Sequence, residues 1–450
     1  VFEIQQIGLP TMSEPRNDPQ DPVDRATMSP FLRPDAPPVI RDPYSVPIED
    51  INVIDGRLFE EDLHWAHFAR LRDEDPVHLN ELPATGRYWS ITKFEDIMLI
   101  DKNHDMFSSA HGIAIGPRVD AELNSEDLNL SMFIAMDPPK HDLQRATVSG
   151  VVAPPNLAKM ESIIRERAGK ILDDLPRGET FNWVDKVSIE LTTQMLATLF
   201  DFPFEDRRML TRWSDVATAA PGTGVVGSEE QRRTELLECL AYFTKLWNER
   251  AQMTEPGSDL ISMLAHGKDT KDMQPFEFLG NLILLIVGGN DTTRNSMSAG
   301  VLALNESPAE YEKLKAKPSL IPNMVSEIIR WQTPLPYMRR TSNVDFELRG
   351  KQIRKGDQLL MWYVSGNRDT DVIERADEFL IDRAQARHHL SFGFGIHRCM
   401  GNRLAEMQLR IVWEEIMKRF KHVEVVGEPV RLRSSFVRGI TDLPVQVHDL

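Results

Sequence analysis

Phe392-Gly393-Phe394-Gly395-Ile396-His397-Arg398-Cys399-Met400-Gly401 is the stretch on which the fold turns, a glycine-punctuated loop that runs straight into a helical pattern. After the cysteine, apolar residues recur at Met400, Leu404, Met407, Ile411 and Phe420, with Arg, Glu and Gln between them. That is the spacing of an amphipathic helix packed on one face, so Cys399 is placed at a helix N-terminus. Unpaired backbone N–H groups and the helix dipole favour an anion there, which predicts thiolate over thiol. Gly393 and Gly395 let the backbone wrap the sulfur closely and turn N–H groups toward it. A lone cysteine elsewhere would be a small buried hydrophobe. In this loop it is a candidate metal ligand.

Working outward, the chain of 450 residues with 41% hydrophobic content is ample for one large domain. Its net charge of −17 argues against nucleic-acid binding. Two cysteines, Cys239 and Cys399, exclude a disulfide framework and predict a cytoplasmic protein. Apolar runs fall short of the roughly 18 residues a membrane span needs, and the longest, over 279–289, is interrupted by Asn281; no transmembrane anchor is expected. Ten prolines between Pro10 and Pro47 mark residues 1–47 as an extension, partly disordered or lying on the domain, and 48–450 as a single domain. Val1-Phe2-Glu3 carries no initiator Met while Met12 is followed by Ser13 and Glu14, which leaves open whether the residues before Met12 are native. Helical patterns dominate beyond the extension. Short alternating pieces at 87–91 and 357–362 predict a small sheet.

Two further segments need a reason. Gly288-Gly289-Asn290-Asp291-Thr292-Thr293 lies inside a helical pattern from about 275 to 304, where each glycine costs about 1 kcal/mol relative to alanine. Alone, it would read as close helix packing with a threonine hydroxyl bonded back to its own helix. Glu327-Ile328-Ile329-Arg330 alone would be a solvated i,i+3 ion pair. In Asp137-Pro138-Pro139-Lys140-His141-Asp142-Leu143-Gln144-Arg145, the diproline suits a helix start and His141 and Arg145 share a face, so both can reach one anion.

Together, and in this order, these segments resemble the cytochrome P450 superfamily of haem-thiolate monooxygenases, from about Ile51 onward. The resemblance implies a mainly α fold with a small β region, and haem b buried between a long oxygen-binding helix and the cysteine loop. It makes Cys399 the axial ligand, whose thiolate pushes electron density toward bound oxygen. Gly288 and Gly289 then make room over the iron, and Asp291 and Thr292 form the acid–alcohol pair that delivers protons. Glu327, Arg330 and Arg383 become a structural network bracing the cysteine loop. His141, Arg145, Arg339 and His397 become the haem-propionate partners, with Arg340 in place of Arg339 if the register shifts by one before Asp345.

Partners and substrate follow from what is present and missing. No glycine-rich dinucleotide fingerprint follows a strand, so electrons are expected from NADH through a reductase and a ferredoxin. Arg398, Arg403 and Arg410 on the cysteine side are candidates for docking an acidic carrier. The stretches 288–297, 336–341, 361–369 and 389–416 resemble the soluble bacterial alkane hydroxylases, which oxidise terminal methyl groups. Leu284, Val287, Leu335 and Phe436 are the corresponding pocket walls, apolar and without a carboxylate-binding group. Terminal hydroxylation of medium-chain alkanes is therefore expected. A terpenoid, sterol or fatty-acid hydroxylase is the alternative, and a haem protein that only binds ligands a more distant one, disfavoured by Asp291 and Thr292.

Overall fold

Apolar repeats of helical period outnumber alternating ones along the chain, and the fold is mainly α with a small β region. The computed structural model describes residues 31, 36–83, 85–116, 130–219 and 223–450. Of the helices that position the site, α1 (His64–Glu74), α2 (Phe94–Lys102), α3 (Lys140–Ser149) and α4 (Arg208–Thr218) come from the first half. The second half supplies α5 (Pro275–Glu306), α6 (Ile321–Gln332) and α7 (Asn402–Arg419).

Helix α5 begins with Pro275 at its first turn, where a missing N–H is harmless. Its 32 residues run without a break through Gly288 and Gly289, a rod about 48 Å long. The largest core is built around it. Leu279, Leu282, Ile286 and Val301 of α5 belong to one buried cluster with Trp213 of α4, Ile328 of α6 and Trp413 of α7.

Strands β1 (Val77–Leu82), β2 (Gly86–Ile91), β3 (Phe107–Ser108), β4 (Met338–Ser342) and β5 (Gln358–Met361) form a sheet in the order β1-β2-β5-β4-β3. The two pieces the sequence singled out pair directly: β2 and β5 run parallel, with Tyr88 opposite Gln358. In the antiparallel β4–β5 pair, Arg339 faces Leu360 and Arg340 faces Leu359. Successive strand residues point to opposite sides, so the two arginines cannot serve the same surface. Leu359 packs with Ile97 and Ile100 of α2, Leu360 with Tyr88, Tyr337 and Trp362.

Most of the proline-rich extension over 1–47, Met12 included, lies outside the described residues. Within its described part, Arg57 Nη2 donates to the Pro37 carbonyl at 2.9 Å, and the Arg70 guanidinium lies 5.2 Å from the Tyr44 ring centre. Among the described residues no helix is long and apolar enough to cross a membrane.

Candidate functional site

The cysteine loop is folded by its own backbone. The Cys399 N–H donates to the Phe392 carbonyl at 2.8 Å, and the Gly393 N–H to the Leu390 carbonyl at 2.7 Å. Gly393 and Gly395 adopt φ of +64° and +66°, and a Cβ on Gly395 would stand 2.6 Å from the Asp101 carbonyl oxygen. Only glycine fits there. Asp101, at the end of α2, takes the Phe394 N–H on Oδ2 at 2.7 Å, which pins the loop to α2. Helix α7 begins at Asn402, slightly later than the sequence pattern predicts. Burial raises the Cys399 thiol above its ordinary pKa. The N–H groups of Gly401 and Asn402, with Arg145 and Arg398, pull it down.

Glu327 and Arg330 are completely buried. Arg330 Nη2 lies 2.7 Å from Glu327 Oε1 and Nε lies 2.8 Å from Oε2, while Arg383 Nε reaches Glu327 Oε2 at 3.0 Å. Arg330 also donates to the carbonyls of Asn367 and Ala376, both at 2.8 Å. The network reaches the loop through Asn367. Its side chain accepts the Leu390 N–H at 2.7 Å and donates to Ser391 Oγ at 2.9 Å, and Ser391 Oγ donates to the Ile329 carbonyl at 2.8 Å. Asn367 had no role assigned from sequence, because its task depends on contacts far along the chain.

His141, Arg145 and His397 come together. The two imidazoles stand edge to face with centres 4.3 Å apart, and Arg145 Nη2 donates to the Arg398 carbonyl at 2.5 Å. His141 Nε2 and both ring nitrogens of His397 are buried without a protein partner. Burial lowers the pKa of both histidines, with Arg340 the next cause at His397. Arg340 is on the loop side of the sheet, its Nη2 bonding Oδ1 of Asp101 at 2.6 Å, the same carboxylate that takes the Phe394 N–H. Arg339 turns the other way. It donates to the Ala114 carbonyl and to Thr341 Oγ1, both at 3.2 Å, and burial lowers its pKa to about 10. The two registers left open by the sequence thus place the guanidinium on opposite sides of the sheet.

On α5, Leu284, Gly288 and Thr292 follow one another at four-residue spacing, so they share a face. A Cβ on Gly288 would meet nothing within 4 Å, whereas one on Gly289 would lie 2.6 Å from Leu196 Cδ2. Gly289 is needed for helix packing; Gly288 is not. The Thr292 hydroxyl donates to the Gly288 carbonyl at 2.9 Å. Asp291 is fully buried and points toward α4, where Ser214 Oγ donates to its Oδ1 at 2.9 Å. Val287, Leu335 and Phe436 are half-buried, with the Phe436 ring 5.6 Å from that of Tyr337. Of the three arginines near the cysteine, Arg398 and Arg403 are exposed. Arg410 is committed to Glu161 and Glu414 at 2.9 and 2.8 Å.

These groups suit an anionic, thiolate-ligated macrocycle. Unpartnered buried imidazole nitrogens and two guanidinium groups answer carboxylates, the N–H groups of Gly401 and Asn402 face the thiol, and Gly288 leaves open space beside α5. Residues 315–441 match the family model for Cytochrome P450. The chain is 33% identical to linalool 8-monooxygenase of Pseudomonas putida over 84% of its own length and 94% of that protein. It resembles the solved structure of CYP153D17 from Sphingomonas sp. PAMC 26605 with a TM-score of 0.82 and 48% identity, covering 88% of this chain and 98% of that one. Cytochrome P450-153 from Novosphingobium aromaticivorans aligns with a TM-score of 0.81 and 45% identity, over 89% of this chain and all of that one.

Proposed function

The chain belongs to the cytochrome P450 family, and from that premise we propose that this monooxygenase hydroxylates terminal C–H bonds of medium-chain alkanes or similar apolar hydrocarbons. Its cofactor is haem b, which when bound through a thiolate supplies the redox iron at which dioxygen is reduced and split. Cys399 provides that thiolate in our reading. Arg145 and Arg340 offset the charge of the two propionates and the neutral imidazoles of His141 and His397 hydrogen-bond to them, while Arg339 is left free of that task. Asp291 holds the proton to be delivered and Thr292 hands it on, a general-acid role that needs a hydroxyl on the open face of α5.

One observation carries the substrate class. The face of α5 that holds Gly288 and Thr292 continues into Leu284, and Val287, Leu335 and Phe436 are likewise half-buried apolar side chains with no charge among them. Such walls reward the burial of methylene groups, at about 0.8 kcal/mol each. Electrons reach the site in the cytoplasm from NADH through a reductase and a ferredoxin, with Arg398 and Arg403 as the docking charges. A second reading, a terpenoid, sterol or fatty-acid hydroxylase, draws support from the similarity to linalool 8-monooxygenase.

Titration of the haem-loaded protein with n-alkanes, terpenes and fatty acids, followed by product analysis with NADH, reductase and ferredoxin, tests the proposal. We expect n-alkanes to give the largest low-to-high-spin shift and primary alcohols as products. Terpenes or fatty acids alone shifting the spin state would favour the second reading, and turnover with NADH and no carrier protein would remove the ferredoxin. In the same assay Thr292→Ala should consume NADH and release peroxide in place of alcohol.

A further inference from the structure

Away from the cysteine loop, α1, the ends of α5 and α6 and the chain over 431–440 line a cavity of about 420 Å3. Its lining shares no residue with the candidate site above, and its size falls in the roughly 300–1,000 Å3 range of small-molecule sites. Arg368 stands in the wall, only 5% exposed. Its Cζ lies 3.4 Å from the Trp331 ring centre and 4.2 Å from that of Trp65. Arg438 uses the second indole as well, with its Cζ 4.6 Å from the Trp65 centre. Stacking fixes the plane of a guanidinium and leaves the N–H donors along its edge free. Among the described residues, the Arg368 side chain makes no hydrogen bond and no ion pair.

The cations here lack close counter-charges. Asp62 lies 3.4 Å from Arg431 Nη2 and 3.7 Å from Arg438 Nη2, both longer than a normal hydrogen bond, and its Oδ1 already accepts from Trp65 Nε1 at 3.2 Å. Arg438 spends its other terminal nitrogen, Nη1, on the carbonyls of Trp331 and Gln332 at 3.0 and 2.7 Å. Glu306 and Asp377 also line the cavity but are exposed to water, and Arg72 is turned to Ser365 Oγ at 3.1 Å. Three guanidinium groups, those of Arg368, Arg431 and Arg438, are thus left with one carboxylate at long range. Burial, and then the charges of Arg330 and Arg438, hold the pKa of Arg368 well below its ordinary value. Gathering like charges in a poorly hydrated wall is costly, and an anion among them offsets that cost.

We infer that this cavity binds a small oxyanion of two or more negative charges, a phosphate group or a dicarboxylate, held by Arg368, Arg431 and Arg438 within the frame of Trp65 and Trp331. Guanidinium groups suit both ligands, because their paired N–H donors match two oxygens at once. A cation is the poorer occupant, since the arginines are in the wall and the acids Glu306 and Asp377 are solvated. On a chain of net charge −17 an oxyanion has no general reason to collect, so the local cluster must supply the attraction. Occupancy braces several elements together. Arg368 directly follows Asn367, whose side chain holds the Leu390 N–H and Ser391, and the Arg438 N–H donates to the Pro334 carbonyl at 2.9 Å.

Isothermal titration calorimetry of the haem-loaded protein with inorganic phosphate, and separately with succinate, in chloride buffer at constant ionic strength tests the site. One saturable site with a Kd below about 1 mM is expected for at least one of them, and the tighter binder identifies the class of ligand. Arg438→Gln and Arg431→Gln should each weaken that binding about tenfold or more, while Arg354→Gln, at an exposed position outside the cavity, should leave it unchanged. Asp62→Asn removes the carboxylate that competes for Arg431 and Arg438, so it should tighten binding about threefold. Asparagine tolerates the φ of +57° there and keeps an oxygen for the Trp65 N–H. The preferred anion should also raise the melting temperature of the wild-type protein, and raise it less in Arg431→Gln. No saturable heat with either anion, or binding that Arg438→Gln and Arg431→Gln leave intact, overturns the proposal. Should Arg438→Gln fail to fold for want of its bonds to α6, the other two variants decide: failure of either Arg431→Gln to weaken binding or Asp62→Asn to tighten it refutes the site.

Discussion

The loop over 392–401 and the α5 segment over 288–294 hold their functional groups by opposite means. In the loop, Cys399 is set by main-chain hydrogen bonds and by two glycines at positive φ, with Asp101 the side chain that bonds a loop N–H. In α5 the backbone is an uninterrupted helix, and Asp291 is held by the side chains of Ser214, Thr218, Asn290 and Arg294. Backbone geometry is rigid and unforgiving, which suits an atom that must stay put. A cage of hydroxyls and one cation can rearrange, which suits a group that must exchange protons.

The contrast breaks most visibly at the sulfur. Cys399→His should abolish the long-wavelength ferrous-carbonyl Soret band of thiolate-ligated haem entirely, while Cys239→Ser, buried in the main core, should leave it intact. A thiolate-type band surviving in Cys399→His would mean that the loop positions something other than the ligand.

Next in size is the bracing of the loop. Glu327→Gln leaves Arg330 and Arg383 without their shared carboxylate in a fully buried site, and loss of one partner of a buried ion pair costs about 3–5 kcal/mol. Urea unfolding of the variant should show a loss of that order. A loss below 1 kcal/mol would place the support of the loop in Asn367 and Ser391 instead.

The smallest effects sharpen the comparison directly, because both regions offer a glycine to replace. Gly395→Ala meets the Asp101 carbonyl and a φ of +66°, and should cost about 1–3 kcal/mol in the same assay. Gly288→Ala lies in helix with open space around its Cβ, so it should gain up to about 1 kcal/mol in the haem-free protein. Its cost should appear instead as weaker haem retention. Equal behaviour of the two variants would erase the distinction between the regions.

The same difference explains what could be read before the structure. Glycines at fixed offsets from a cysteine are a local pattern, so the loop was legible, as were the long helix from Pro275 and the two strand pieces that became β2 and β5. Asp101 was not, since it meets Arg340 across 239 residues of chain. Asp215 and Arg294, 79 residues apart, are joined by the crossing of two helices that no local pattern specifies. The i,i+3 spacing of Asp291 and Arg294 was visible in the sequence and could have raised that arginine as a candidate. The choice between Arg339 and Arg340 needed the β4–β5 register, because a shift of one residue exchanges the two faces of a strand.

The parallel pairing of β2 with β5 has a consequence for how the chain is made. Trp89 Nε1 bonds Asp357 Oδ2, a partner 268 residues later. At a synthesis rate of about 5–20 residues per second, β2 waits roughly 15–50 s on the ribosome before its neighbour exists. During that interval one edge of a strand carrying Tyr88, Trp89 and Ile91 has nothing to pair with. Contacts of such long range close slowly and late, so the sheet beside the site is expected to form late in folding.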